Sequence, residues 1–89
     1  MKAVITVIGT DRIGIIASIT GVLAKAGVNI LDISQTIMQS IFSMIMLVDL
    51  SNMSCEFTEL SDLLKQTGEE LGVEIRFQRE ETFTSMHRI

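Results

Sequence analysis

Apolar residues near the N-terminus follow two different periods, which separate a strand from a helix. Residues 3–8 (AVITVI) are β-branched or apolar nearly throughout, a pattern typical of a strand that is buried on both faces. From Ile15 onward, apolar residues recur at intervals of three and four, which predicts a helix. Asp11 stands ahead of this helix where an N-cap would lie, and Gly27 follows it as the expected C′ residue.

Two further strand-like runs follow the first helix. Residues 29–39 and 41–50 are both rich in apolar residues, and Gln39 and Ser40 between them form a candidate hairpin turn. We therefore expect these two strands to pair in an antiparallel arrangement.

The C-terminal half contains a second helix and a last strand. A polar segment with Ser54 as candidate N-cap precedes a helical stripe that Gly72 closes. The apolar residues of this stripe are Phe57, Leu60, Leu64 and Leu71. Gly68 inside the helix costs about 1 kcal/mol relative to Ala, so we expect the last turn to fray. Residues 73–80 then alternate apolar and polar side chains, as in a half-buried strand.

The elements therefore follow the order βαββαβ. With a right-handed crossover at each helix, this order predicts an α+β, ferredoxin-like fold, in which both helices lie on one face of a four-stranded antiparallel sheet. No linker or low-complexity tract appears, so we expect residues 1–89 to form a single domain. Residues 80–89 fit either a C-terminal tail or a short helix.

The sheet is predicted to be apolar on both faces, although two helices can cover only one. In residues 41–50 the even positions are apolar, and so are Ile41, Ile45 and Leu47 at odd positions. The same holds for residues 3–8, where Ala3, Ile5 and Val7 oppose Val4 and Ile8. Soluble monomers rarely expose a patch of that size. We therefore expect another chain, or this chain's C-terminal tail, to cover it, and we predict a homodimer or a higher even-numbered oligomer.

Composition and charge exclude several classes of function. The net charge of −4 and the absence of a basic stripe argue against a nucleic-acid partner. No apolar run approaches the length of a membrane span, and the first eight residues lack the pattern of a signal peptide. The single cysteine cannot form an internal disulfide and suits a reducing compartment, so we expect a cytoplasmic protein.

The turn between the first strand and the first helix (VIGTDRIGIIASIT, from Val7) is a candidate anion site. The first N–H groups of a helix lack intrahelical partners and carry the positive end of its dipole, so a carboxylate fits there. Gly9 and Gly14 allow close backbone approach or a positive φ, and Asp11 can accept hydrogen bonds from an ammonium group. Together they suggest a site for a free amino acid. The alternative is that Asp11 only caps the helix and Gly14 only permits tight packing.

The stretch GTDRIGIIASITGVLAKAGVNILDIS, from Gly9, resembles the opening of an ACT domain. Members of this family typically have a Gly-x-Asp-Arg-Pro-Gly turn, a helix ending in Ala-x-x-Gly, then Asn-Ile and a strand. The resemblance extends over the whole chain, and NILDISQT and FSMIMLVDL are similar to the glycine cleavage repressor and formyltetrahydrofolate deformylase branch. Ile13 stands where the family usually has Pro, so this turn lacks that fixed φ.

The resemblance implies a regulatory module that binds a small ligand, an amino acid in particular, at a subunit interface and acts through a protein partner. The implied ligand groups from one subunit are Gly9, Asp11, Arg12, Gly14 and Ile15. Asn29 and Ile30 would join them from the same or the facing chain. Serine-sensing members often carry Asn at the position of Asp11, so the identity of the ligand stays open. The alternative is a module that only oligomerises and leaves the turn empty.

Catalysis and metal binding have little support in the sequence. Cys55 has no second cysteine or obvious base near it along the chain, and His87 stands alone near the C-terminus. Adjacent acidic pairs, such as Glu69 with Glu70, point apart on a helix or strand. We therefore expect no enzyme activity, no metal site and no cofactor.

Overall fold

The computed structural model describes residues 1–82 and confirms the predicted order of elements. The elements are β1 (Lys2–Thr10), α1 (Ile15–Lys25), β2 (Asn29–Met38), β3 (Ile41–Asp49), α2 (Phe57–Leu71) and β4 (Val73–Arg79). Gln39 and Ser40 form the predicted hairpin turn, with a φ of 59° at Gln39. Of the segment 80–89, residues 80–82 are helical and the others lie outside the described residues.

The four strands form one antiparallel sheet in the order β2-β3-β1-β4. This order, with a helix in each of the two crossovers, confirms the ferredoxin-like fold. Because β1 and β3 occupy the centre, β2 and β4 are the two edge strands.

The sheet has an inner face that packs against the helices and an outer face that does not. The inner sheet face and the helices bury Ala3, Ile5, Val7, Ile15, Ile19, Leu23, Phe42, Met44, Met46, Val48, Leu60 and Leu64. Along β1 and β3, the side chains that alternate with these form the outer sheet face, where Ile8, Ile41 and Ile45 are exposed. The two central strands therefore carry apolar residues on both faces, as predicted, whereas the edge strands present charged residues on the outer face, Asp32 on β2 and Glu74 and Arg76 on β4.

Helix α1 begins later than the sequence indicates. Its N-cap is Gly14, which has a φ of 94° and makes no side-chain hydrogen bond to the helix end. Asp11 lies three residues earlier, where its backbone N–H donates to the carbonyl oxygen of Ser40 at 2.8 Å. The prediction that Asp11 caps the helix was wrong, because the left-handed conformation of Gly14 turns the chain into the helix only after that residue. A Cβ at Gly14 would meet no atom within 4 Å, so tight packing is not its role either.

Helix α2 also begins at a different residue than predicted. Its N-cap is Glu56, whose backbone N–H donates to the Glu59 carboxylate at 3.3 Å. The prediction of Ser54 as the N-cap was wrong, because Ser54 is used elsewhere. Its backbone N–H and its hydroxyl both donate to the carbonyl oxygen of Ala26, at 2.8 and 3.2 Å, and join this loop to the end of α1.

The ends of both helices agree with the prediction, and Gly68 has an unexpected role. Gly27 and Gly72 follow the last residues of the helices with φ values of 75° and 73°, as expected for terminating glycines. Helix α2 continues through Gly68 to Leu71, and the predicted fraying does not appear. A Cβ at Gly68 would lie 2.8 Å from the carbonyl oxygen of Val73. The missing side chain therefore allows α2 to pack closely on β4, which offsets its poor helix propensity.

Candidate functional site

The N-terminus of α1 opens toward solvent without a side-chain cap. Gly14 is only partly exposed, but the space where its Cβ would stand is empty to a distance of 4 Å. No side chain of residues 1–82 caps the first N–H groups of this helix, and its first turn has no acidic residue. These N–H groups carry the positive end of the helix dipole, so they can receive an anion.

Asp11 lies in the turn that leads to this helix end. Its side chain is exposed, and its backbone is fixed by the hydrogen bond to Ser40 in the β2–β3 hairpin. Because the carboxylate does not cap the helix, it is available to a ligand. Ile13, which replaces the proline of the family pattern, is fully exposed between Asp11 and Gly14.

Arg12 is the one predicted site residue whose side chain is engaged with a distant element. Its guanidinium donates to the carbonyl oxygen of Leu71 at 2.9 Å, at the C-terminus of α2. The last turn of α2 has no basic residue of its own, so Arg12 supplies the cation that the negative end of the helix dipole favours. The structure therefore gives Arg12 a positioning role, in which it ties the turn to the α2–β4 joint.

Gly9 also has a packing role. It pairs with Val73 across the β1–β4 ladder, and a Cβ at Gly9 would lie 2.7 Å from the Val73 Cγ1 atom. Real Cβ contacts of that length are essentially absent from proteins. Any side chain at this position would push β4 away from β1, so glycine is required whether or not a ligand approaches.

Asn29 and Ile30 lie at the opposite end of the sheet from the turn. Asn29 pairs with Asp49, and Asp49 pairs with Lys2 at the start of β1, whereas the turn follows Thr10 at the end of β1. The eight residue steps from Lys2 to Thr10 correspond to about 26 Å along the strand. The structure therefore brings Gly9, Asp11, Arg12, Gly14 and Ile15 together, but it does not bring Asn29 and Ile30 to them within one chain.

Asn29 and Ile30 instead border an open groove along α1. The groove has a volume of about 570 Å³ and is also lined by Ala17, Thr20, Gly21, Ala24 and Val28. The helix residues in this set are small and follow one side of α1. The residues of the turn do not line this groove.

Cys55 and the acidic side chains are the other reactive groups among residues 1–82. Cys55 is half-buried, two residues before α2, in a crevice of about 350 Å³ that also contains Val22, Lys25, Ala26, Ser54 and Leu63. Among residues 1–82, no three His, Cys, Asp or Glu side chains are grouped so that they could hold a metal ion. His87 lies outside the described residues.

Comparisons with known proteins identify the family. The ACT domain model matches residues 2–78. A UPF0237 protein of Methanocaldococcus jannaschii is 54% identical over 88 residues, which cover 99% of this chain and 98% of that protein. The structure of an ACT domain protein from Streptococcus pneumoniae has a TM-score of 0.79 and 37% identity, covering 100% of this chain and 97% of the other.

A second solved structure supports the predicted branch of the family. It is described as a glycine cleavage system transcriptional repressor and is 29% identical, with a TM-score of 0.74 over 88% of this chain and 44% of its own. ACT domains are in general regulatory domains that bind amino acids or other small ligands. No helix among residues 1–82 is long and apolar enough to cross a membrane. Because the family model matches most of its length, this chain belongs to the ACT domain family.

Proposed function

We propose that this protein is a cytoplasmic regulatory module that binds a free amino acid between two copies of the chain and acts through a protein partner, without catalysis of its own. The observation that supports this most strongly is the uncapped N-terminus of α1 beside the exposed carboxylate of Asp11. A free amino acid carries a carboxylate and an ammonium group. The uncapped N-terminus of α1 is complementary to the carboxylate, and the Asp11 carboxylate is complementary to the ammonium group.

In this proposal, backbone N–H groups bind the carboxylate of the ligand and a side chain binds its ammonium group. The N–H groups that follow Gly14, beginning with Ile15, receive the ligand carboxylate, because the helix dipole favours an anion there. The Asp11 carboxylate accepts hydrogen bonds from the ammonium group. Arg12 holds the turn through Leu71 and does not need to contact the ligand.

A second copy of the chain supplies Asn29 and Ile30 in this proposal. Since these residues lie about 26 Å from the turn of their own chain, only the facing chain can complete the site. The β2 edge is suited to pairing with another copy, because Asp32 is its only charged residue and all its residues except Ile30 are exposed. The β4 edge carries Glu74, Arg76 and Arg79, and charged residues on an edge strand oppose strand addition.

The second candidate function is a module that only oligomerises. It is favoured by the packing roles of Gly9 and Arg12, which explain two residues of the turn without any ligand. In that case the exposed β2 edge would still pair, but the turn would stay empty.

The experiment that separates the two functions begins with calorimetric titration of the purified chain against the twenty amino acids. A ligand at a hundredfold excess over Kd also stabilises the folded state by about 2.7 kcal/mol, so thermal unfolding provides an independent readout. Asp11→Ala and Asn29→Ala should each weaken binding by roughly 1 to 3 kcal/mol. If none of the twenty binds, the chain is an oligomerisation module.

A mixing experiment then tests whether the site is shared between chains. When Asp11→Ala and Asn29→Ala chains are mixed and allowed to exchange, heterodimers have one site with both changes and one site with neither, so about a quarter of all sites regain full affinity. If both residues belonged to the same chain's site, mixing would restore none. The matched control is Asp11→Ala mixed with itself, which must remain weak.

A further inference from the structure

Val4 is a buried residue that lies outside the core. Among the buried apolar side chains of residues 1–82, it is the one that does not belong to the cluster between the sheet and the helices. Along β1 it alternates with Ala3 and Ile5, which face the helices, so Val4 points to the outer sheet face. It is nevertheless only 5% exposed, whereas Ile8 on the same strand and face is 46% exposed. The outer face must therefore be covered at Val4, and neither α1 nor α2 can do this, because both pack on the inner face.

The covered position belongs to a row of paired residues that crosses the whole sheet. Val4 pairs with Gln78 on β4 and with Leu47 on β3, and Leu47 pairs with Asp32 on β2. All four side chains point to the outer face, because they alternate with residues that face the helices. Gln78 and Leu47 are half-buried, whereas Asp32 is exposed. At the usual strand spacing, this row is about 14 Å long from β4 to β2.

The chain leaves β4 beside this row and turns into a helix there. Residues 80–82, which follow β4 directly, are helical. Glu80 and Glu81 border a crevice of about 400 Å³ together with Lys2. Lys2 precedes Val4 by two residues, so its side chain lies on the same outward side of β1. The acidic residues that follow β4 are therefore next to a lysine at the covered end of the outer face.

We infer that the C-terminal segment, residues 83–89, crosses the outer sheet face along this row, from β4 toward β2, and covers Val4 and Leu47. Its sequence has three apolar residues at intervals of three: Phe83, Met86 and Ile89. A helix rises about 1.5 Å per residue, so each interval corresponds to about 4.5 Å, close to the spacing between strands. Counted from the end of β4, the first apolar residue falls over Val4 on β1 and the second over Leu47 on β3.

The charges of the segment agree with this direction. His87 and Arg88 are near its end, where it reaches β2. Asp32 is the only charged residue of β2 and stands at that end of the row. Since the acidic residues at the start lie beside Lys2, opposite charges meet at both ends of the row. A course along β1 instead would cover Ile8, which is exposed.

Disulfide trapping in the full chain tests this course. With the native thiol removed by Cys55→Ser, the pair Leu47→Cys and Met86→Cys should form a disulfide within one chain under mild oxidation. Non-reducing electrophoresis and mass spectrometry detect it at the mass of a single chain. The matched control pairs Met86→Cys with Ile8→Cys, because Ile8 lies on the same face about 13 Å beyond Val4 along β1, and it should remain reduced. Equal cross-linking of the control pair, or no disulfide in the test pair, overturns the inference. A disulfide between two chains overturns it as well, because a second copy would then supply the segment.

Dye binding gives a second readout that needs no cross-link. Phe83→Asp should release the segment and expose Val4 and Leu47, so the fluorescence of the apolar dye ANS should rise several-fold. The control is Ser85→Asp, which adds the same charge at a position opposite Phe83 on a helix and should cause no rise. If the two variants bind the dye equally, the segment does not cover the row. Neither experiment bears on the proposed function, because Val4 lies near the start of β1 and the turn follows its end.

Discussion

Gly68→Ala should destabilise the protein, although helix propensity alone predicts the reverse. Gly68 lies inside α2, where replacement of Gly by Ala normally stabilises a helix by about 1 kcal/mol. In this structure the new Cβ would lie 2.8 Å from the carbonyl oxygen of Val73 and 3.1 Å from the Ile75 Cγ1 atom. The first contact is with backbone, so a change of side-chain rotamer cannot relieve it.

The magnitude follows from these two opposing effects. Overpacking of a close contact typically costs about 1 to 3 kcal/mol, and here relaxation is restricted because Val73 also packs against Gly9 on β1. After subtraction of the propensity gain of about 1 kcal/mol, the expected loss is up to about 2 kcal/mol. For a domain of this size, each kcal/mol corresponds to roughly 4 to 8 °C in Tm.

Urea unfolding at a fixed chain concentration is the appropriate assay, since oligomerisation makes stability depend on concentration. Gly21→Ala is the matched control, because Gly21 lies in the exposed interior of α1 and a Cβ there would meet nothing within 4 Å. It should gain about 0.4 to 1 kcal/mol. A Gly68→Ala variant as stable as Gly21→Ala would refute the packing argument.

Two further predictions concern polar contacts. Arg12→Gln should lower the free energy of unfolding by about 1 kcal/mol, because α2 loses a charged donor to Leu71; urea unfolding measures this, and no loss would show that the contact is dispensable. For Asp49, hydrogen bonds from the Ser51 hydroxyl and backbone N–H hold the pKa of the carboxyl below its ordinary value of 3.8. The ionised Asp49 carboxyl therefore contributes to stability above pH 3.8, and this contribution is lost as the pH falls through the lowered pKa. Asp49→Asn should remove that part of the loss of stability in acid. An unchanged dependence of the free energy of unfolding on pH in this variant would contradict the prediction.

The elements were predictable because their signals are local and repeated. The alternation in residues 41–50 and 73–80 and the helical spacing after Ile15 each involve several residues, so one exception does not change the period. The helix starts were less predictable, because Asp11 and Ser54 are chemically suitable caps that lie a few residues too early. Each is used instead in a contact with a distant segment, Ser40 for Asp11 and Ala26 for Ser54.

The arrangement of the candidate site was even harder to predict from the sequence, because it also depends on contacts between distant segments. Asn29 and the turn are separated by one helix in the sequence, which suggests proximity, but the two strands that they border run in the same direction with β3 between them. Asn29 is the first residue of β2 and the turn follows the last residue of β1, so the topology places them at opposite ends of the sheet. The sequence left open whether Asn29 joins the turn of its own chain or of the facing chain, and the topology excludes the first arrangement.

The contacts of the turn also bear on the substitution of the family's proline by Ile13. A proline would fix one φ angle and so limit the conformations of the turn before a ligand binds. Here the backbone of Asp11 is held by Ser40, and the guanidinium of Arg12 is held by Leu71, so the residues on the N-terminal side of Ile13 are fixed from two directions. Ser40 and Leu71 both lie outside the turn. The rigidity that a proline in the turn would supply therefore comes from tertiary contacts instead. If the proposed function holds, Arg12→Gln, which removes the contact with Leu71, should therefore also reduce amino acid affinity in calorimetric titration, and an unchanged affinity would contradict this role of Arg12.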